Sequence, residues 1–125
     1  MKYQITPAYT IEDGMKCYYD KNGNLIRVTD PKSTTFVTRF EYDEKNRLIH
    51  KRTEDSHYVD EQFYKYDEND NIIYMSDSTG ESYTYRYENG KLVYKLESLY
   101  GVPNWEYYYD ENGNITESRD CYYNI

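Results

Sequence analysis

The sequence predicts an all-β fold, in which five tandem antiparallel β-hairpins form a curled single-layer sheet. Three observations support this. One phrase recurs at near-constant spacing along the 125 residues, and aromatic and polar residues alternate before each recurrence. The composition also favours strands, because it includes 19 tyrosines while alanine is scarce. Tyrosine buries a large ring while its hydroxyl stays hydrated, so a chain that is only 38% hydrophobic can still fold.

The repeat is anchored on a tyrosine followed by an acidic residue. Its five copies recur at intervals of 23, 24, 21 and 22 residues. They are Tyr19-Asp20, Tyr42-Asp43, Tyr66-Asp67, Tyr87-Glu88 and Tyr109-Asp110. Two positions before each tyrosine stand Cys17, Phe40, Tyr64, Tyr85 and Tyr107. Five copies in register indicate a repeat protein. We expect one domain, with an N-terminal strand or cap over residues 1–14 and the five hairpins over residues 15–125.

The segment before each turn has the period of a half-buried strand. Phe36, Thr38, Phe40 and Tyr42 fall on one face and Val37, Arg39 and Glu41 on the other. The same alternation precedes the turns that follow Tyr87 and Tyr109. We expect the aromatic face to be the core, because no other part of the chain could supply one. The alternative is an open, Tyr-rich concavity suited to protein or glycan recognition.

The turn that follows the first copy can be derived from its residues. Asp20 begins a type I turn, where its carboxylate can accept a local backbone N–H, and Gly23 takes the left-handed conformation that closes the hairpin. Asn46, Asp70 and Gly113 occupy the position of Gly23 in three other copies, and these residue types tolerate positive φ. The fourth copy is one residue shorter, and its Asn89-Gly90 pair is typical of a two-residue type I′ turn.

The segments that connect one hairpin to the next are predicted to be loops, and the complete sheet is predicted to be a curved strip. The segments 29–34, 52–57, 76–81 and 97–104 are rich in turn-forming residues. Ten strands spaced about 4.8 Å apart would make a flat sheet roughly 48 Å wide, too wide for this chain to cover with a second layer. We therefore expect a half-pipe, a β-strip spiral or a loose barrel, with an eleventh strand from "KYQIT" at residues 2–6.

These phrases resemble the YD-repeat (Rhs) family. The closest stretch is "YDKNGNLIRVTDP…FEYDEKNRLI", and the resemblance covers roughly residues 15–119. It implies a strip of tandem hairpins, which long members of the family build into a shell; a chain of five copies would be a small stand-alone member. MORN-like repeats have a comparable period but more glycine. Choline- and glucan-binding wall repeats need a tryptophan in each copy, and this chain has one.

No motif predicts catalysis, a metal or a cofactor. The pattern D-x-N-x-N at Asp20, Asp67 and Asp110 opens like a calcium loop, but it lacks the glycine at position six and the glutamate at position twelve. His50 and His57 have no cysteine partners at zinc-ligand spacing. Cys17 aligns with aromatic positions and has no activating base. We therefore expect a protein that is not an enzyme.

The candidate interaction surface is the edge that carries the tyrosine-acid turns. All these turns lie at the same end of their hairpins, about 9.6 Å apart, and would form an acidic row roughly 40 Å long. The predicted partner-binding residues are Asp20, Asp43, Glu44, Asp67, Glu68, Asp70, Glu88, Asp110 and Glu111. The other reading of this row is a solvated rim that aids solubility.

The expected function is that of an interaction protein that binds and inhibits a protein with a basic surface. Immunity proteins, antitoxins and phage-encoded inhibitors of defence, some of which mimic nucleic acid, share this small acidic profile. The net charge of −8 opposes direct nucleic-acid binding, and no apolar run is long enough to span a membrane. No secretory leader is visible, which predicts a cytoplasmic location. The alternative is a carbohydrate- or wall-binding module that uses its Tyr and Trp rings.

Overall fold

The computed structural model describes residues 8–121, and all regular structure in that range is β-strand. The chain divides into two compact units, Met1–Glu61 and Gln62–Ile125. The all-β class and the succession of antiparallel hairpins are confirmed. The strand expected at residues 2–6 lies outside the described residues.

The first unit is a layer of antiparallel strands in which each strand pairs with the next along the chain. Its strands are β1 (Tyr9–Glu12), β2 (Met15–Tyr19), β3 (Leu25–Asp30), β4 (Ser33–Tyr42), β5 (Leu48–Asp55) and the first residues of β6 (Tyr58–Tyr66). β2–β3 and β4–β5 are the first two repeat hairpins, and β1 extends the layer ahead of them.

The second unit repeats this plan with the rest of β6 and five further strands. These strands are β7 (Ile72–Asp77), β8 (Glu81–Glu88), β9 (Lys91–Leu99), β10 (Val102–Tyr109) and β11 (Ile115–Asp120). Each again pairs antiparallel with its neighbour in the chain. The last three repeat hairpins are therefore β6–β7, β8–β9 and β10–β11.

The turn chemistry predicted from sequence is confirmed at every copy. Gly23, Asn46, Asp70 and Gly113 all have positive φ, between 62° and 84°. In the short copy both Asn89 and Gly90 have positive φ, as a type I′ turn requires. The backbone N–H of Gly23 donates to the carbonyl of Asp20 at 3.0 Å, which closes the first turn.

Each repeat hairpin also carries a register shift immediately before the tyrosine of its tyrosine-acid pair. In the first hairpin Tyr18 lies opposite Arg27, whereas Tyr19 lies opposite Leu25, so that Ile26 is the extra residue of a bulge. The same shift occurs in the other four repeat hairpins. A bulge at a fixed position keeps the alternation of the two faces the same from copy to copy.

The outer connections are shorter than the sequence suggested. Two residues join β3 to β4, two join β5 to β6 and two join β9 to β10, while three join β7 to β8. Strand pairing extends into segments rich in Ser, Thr and Asp because their side chains cap the turns. Asp77, for example, accepts from the backbone N–H of Thr79 at 3.0 Å.

The expectation that the aromatic face is a buried core is wrong at the level of individual side chains. Among residues 8–121 only Cys17 and Thr38 are buried, and no large side chain is fully buried. Tyr64, Tyr85 and Tyr107 are half-buried. Strands in a single layer have no second layer above them, so the rings shield one another but keep contact with solvent.

Candidate interaction surface on the hairpin turns

Four of the nine predicted site residues are turn-forming aspartates. Asp20 accepts from the backbone N–H groups of Asn22 at 2.8 Å and Asn24 at 2.9 Å. The carboxylates of Asp43, Asp67 and Asp110 make the same pair of contacts in their own turns. All four are half-buried, so their first task is to fix the turn.

These contacts hold the turn carboxylates in the charged form. The pKa of Asp20 is lowered chiefly because the carboxylate accepts the backbone N–H of Asn24. The pKa values of Asp43 and Asp110 are lowered for the same reason, by the N–H groups of Arg47 and Asn114. Hydrogen bonds to an ionised group favour that form, so these carboxylates keep their negative charge to a lower pH than an ordinary aspartate does.

The other five predicted residues are exposed on or beside the tyrosine-acid turns. They are Glu44, Glu68, Asp70, Glu88 and Glu111. Asp70 is itself the left-handed residue of its turn. The four glutamates are not needed for the backbone conformation of a turn. Each lies beside a turn whose shape is fixed by an aspartate or by a type I′ pair. The predicted site therefore separates into residues that hold the turns and residues that face the solvent.

Within each unit the structure brings neighbouring turns together. In the first unit the side-chain amides of Asn22 and Asn24 donate to Oδ1 of Asn46 at 3.2 and 2.9 Å, which ties the first turn to the second. In the second unit Asp67 and Glu88 line the same open pocket. A single row of all nine residues remains a prediction.

That pocket has a volume of about 740 Å³. Tyrosines contribute much of its wall, at positions 85, 87, 94, 108 and 109. Asp67, Glu88 and Glu117 add carboxyl-bearing residues, and Arg86 adds a cation. Tyr rings beside carboxylates can bind the stem and charge of a basic side chain or stack on a sugar ring.

A second set of functional candidates lies at the cross-strand pair just before each bulge, and sequence reasoning missed it. These pairs are Tyr18–Arg27, Glu41–His50, Lys65–Tyr74, Arg86–Tyr94 and Tyr108–Glu117. In three of them a cation lies over a tyrosine ring, at 4.2, 5.3 and 4.1 Å from the ring centre. The residue types were visible in the sequence, but their pairing depends on the bulge.

The first unit carries an ion-paired network on the same strand face. Arg52 donates to Glu54 and Glu61, each at 2.7 Å. His50 lies within β5, half-buried, with Nδ1 3.0 Å from Glu41 and Nε2 3.3 Å from Glu61. The pKa of Glu61 is lowered chiefly by the bond from Arg52. These contacts join β4, β5 and the start of β6.

The described residues offer no constellation for metal or membrane chemistry. Residues 8–121 contain no group of three or more His, Cys, Asp or Glu side chains placed to hold a metal ion. Cys17 and Cys121 are both free thiols. The same stretch contains no helix that is long and apolar enough to cross a membrane.

Comparison with known proteins agrees with the repeat reading. A search of curated protein sequences returned no match to the chain. The family model described as RHS Repeat matches residues 19–57, which span the first two tyrosine-acid turns and the strands between them. Residues 19–57 are therefore similar to RHS repeats, in agreement with the tyrosine-acid phrases of that stretch.

Proposed function

We propose that the chain is a non-enzymatic interaction protein that binds a protein partner with a basic surface through its hairpin turns, and thereby inhibits it. The observation that supports this most is that different residues of the turns fix the backbone and face the solvent. Half-buried aspartates fix four of the five turns, a type I′ pair fixes the other, and exposed glutamates stand on four of these turns. Charges that are ordered before binding lose little conformational freedom on association.

Electrostatics favours a basic partner over other macromolecules. The chain carries 23 acidic against 15 basic residues. A cluster of negative charge accelerates the encounter with a positive surface and repels phosphate backbones. A protein that covers the basic surface of an enzyme or toxin blocks that surface, which is how an immunity protein, an antitoxin or an inhibitor of defence would act. A cytoplasmic location fits such a role.

The experiment compares three baits in pull-downs from the source cell, with identification by mass spectrometry. The first is the unchanged protein. The second replaces Glu44, Glu68 and Glu111 by Gln, which removes charge but leaves the turn aspartates in place. The third is a control of equal net charge, in which Glu12 and Glu81 become Gln and Asp13 becomes Asn. All three are exposed carboxylates outside the tyrosine-acid turns.

A partner that supports the proposal is basic, is retained by the unchanged bait and the control, and is lost by the turn variant. Its complex should also weaken at least tenfold between about 50 and 500 mM salt, because exposed charges are screened. Equal retention by the turn variant and the control would contradict the role of the turns.

Carbohydrate binding is the second candidate, and the tyrosine-lined pocket of the second unit favours it. Rings of Tyr85, Tyr87 and Tyr109 line a space large enough for a sugar unit. Binding to wall polysaccharide that persists at high salt and is lost in Tyr87→Ala would favour this function over the first, because ring stacking responds little to ionic strength.

A further inference from the structure

The first unit contains a cationic pocket that differs in chemistry from the acidic turns. Arg39 of β4 lies directly opposite Arg27 of β3 and also opposite Arg52 of β5. Like charges placed opposite each other across strands are unfavourable. A row of three arginines in a protein with net charge −8 therefore calls for compensating negative charge at that place.

The carboxylates of the unit compensate only one end of the row. Arg52 has two short bonds, to Glu54 and Glu61. Arg39 reaches the same Oε1 atom of Glu54 at 3.4 Å, and 53% of its side chain is exposed. Arg27 lies with its guanidinium carbon 4.2 Å from the centre of the Tyr18 ring, and no carboxylate within residues 8–121 forms an ion pair with it.

The two under-compensated arginines line one cavity. It has a volume of about 380 Å³ and is formed by Ala8, Tyr18, Tyr19, Ile26, Arg27 and Arg39. Ile26 and Tyr19 are 37% and 40% exposed, so an apolar wall faces solvent beside the guanidinium groups. The Tyr19 hydroxyl already donates to Glu12 at 2.6 Å, which leaves the arginines as the donors for a ligand.

We infer that this cavity binds a small anion composed of a carboxylate or phosphate group on an aromatic body. A guanidinium offers a planar fork of N–H donors that matches either oxyanion, and two forks can engage one head group. The wall of Tyr18, Tyr19 and Ile26 would cover the aromatic part, and the cavity is large enough for such a molecule. This site is independent of the turn surface proposed above.

The test is a titration of the isotope-labelled protein followed by the backbone amide signals. The probes are phenyl phosphate and benzoate, with inorganic phosphate as the head group alone and benzyl alcohol as the body alone. Both aromatic anions should bind with a Kd on the order of 1 mM, given their few heavy atoms. The shifted signals should centre on Tyr18, Ile26, Arg27 and Arg39. The tighter of the two anions identifies the preferred head group.

Three variants and one control variant decide whether the arginines carry the binding. Arg27→Gln and Arg39→Gln should each weaken phenyl phosphate at least about tenfold, the loss expected for a charge-assisted hydrogen bond. Arg27→Lys should also weaken it, since the charge remains but the fork is lost. Arg86→Gln is the matched control, because Arg86 lies over Tyr94 at the equivalent hairpin position but has no arginine opposite, and it should bind as the unchanged protein does.

Two results would overturn the inference. One is the absence of saturation by either aromatic anion up to about 20 mM, at least tenfold above the expected Kd. The other is an equal loss in Arg86→Gln and Arg27→Gln, which would attribute binding to overall charge. If Arg27→Gln does not fold, the more exposed Arg39→Gln and the signal map of the unchanged protein still decide the question.

Discussion

The two units use the same hairpin and place different chemistry on it. At the cross-strand pair before the bulge, the first unit has Tyr18–Arg27 and Glu41–His50, beside a network of ion pairs. The second unit has tyrosine in all three of its pairs, and Tyr94 packs edge-on against Tyr108 with ring centres 5.2 Å apart. The backbone is conserved between copies because the turn dictates it, whereas the faces vary because the pleated strand accepts many side chains.

This comparison separates positions that make the fold from positions that make a surface. A turn aspartate can be exchanged only at a cost to the hairpin. A face residue can change from a cation to a ring without altering the register. Function in a repeat of this kind is therefore expected to reside on strand faces and on the exposed turn glutamates, and the two units need not bind the same ligand.

The largest effect on stability is expected in the second unit, where the β7–β8 turn contacts the β9–β10 turn. The N–H of Tyr100 donates to the carbonyl of Gly80 at 2.8 Å, and a Cβ at Gly80 would lie 2.3 Å from the Tyr100 ring. With φ at +96° and this overlap, Gly80→Ala should lower the free energy of unfolding by about 2–4 kcal/mol in urea denaturation. Gly101→Ala, with φ at +79° and open space around it, should lose only about 1–2 kcal/mol.

Adding Tyr100→Ala to Gly80→Ala should restore the part of the loss that the overlap causes. Equal losses in the Gly80 and Gly101 variants would mean that the two outer turns do not support each other.

A smaller effect is expected at Glu106, the carboxylate that ties β10 to β11. It accepts from Arg119 at 2.7 Å and from the Tyr108 hydroxyl at 3.0 Å, and chiefly the Arg119 bond lowers its pKa to about 2. Glu106→Gln should cost about 1–2 kcal/mol of unfolding free energy near neutral pH, because a charge-assisted bond to a half-exposed arginine is lost.

The lowered pKa also predicts how the stabilisation by Glu106 changes with pH. The folded pKa lies below the ordinary value of 4.5, so the contribution of Glu106 is full above that value and is lost as the pH falls towards about 2. The difference between the unchanged protein and Glu106→Gln should therefore shrink over that range in urea denaturation. A difference that stays constant across it would contradict the ion pair.

The turn aspartates allow a direct comparison between the units. Asp43 accepts two backbone N–H groups and also Nε of Arg47 at 2.9 Å, with both side chains only 19% exposed. Asp110 accepts two backbone N–H groups. Asp43→Ala should therefore lower the Tm more than Asp110→Ala does.

Asp43→Asn is the control for the charge, since it can keep an acceptor for the backbone and loses the ion pair. Its Tm should lie between those of Asp43→Ala and the unchanged protein. Because the pKa values of Asp43 and Asp110 are both lowered, the stability they add is present above their ordinary pKa of 3.8 and is lost as the pH falls through the folded values. Equal Tm values for the two alanine variants would contradict the added stabilisation of the Asp43 turn by Arg47.

The smallest effect concerns the cation–ring pairs. Arg86→Gln removes a guanidinium 4.1 Å from the Tyr94 ring centre and should cost about 0.5–1 kcal/mol of unfolding free energy. Arg27→Gln removes a similar contact to Tyr18 but also relieves the charge of Arg39 opposite, so its loss in urea denaturation should be smaller. A larger loss of unfolding free energy in Arg27→Gln than in Arg86→Gln would contradict the view that Arg27 and Arg39 repel each other without a compensating carboxylate.

The turns were predictable because their structure depends on contiguous residues. Asp20, Asn22 and Gly23 form a turn through contacts that span at most four positions, so composition and spacing suffice. The short outer turns were missed because the tendency of Ser, Thr and Asp to form loops does not reveal how far pairing extends into them. Tyr100, a bulky residue at a φ of 52°, is an example that no local rule would select.

The sequence by itself determined the strand class, the repeat and the left-handed residues of the five tyrosine-acid turns, because backbone sterics and side-chain alternation act over a few residues. Only the tertiary structure decided which residues face each other across the strands, because a single bulge sets that register. It therefore decided that the turn glutamates remain exposed, that the rings stay half-buried, and that Arg27 and Arg39 line one cavity.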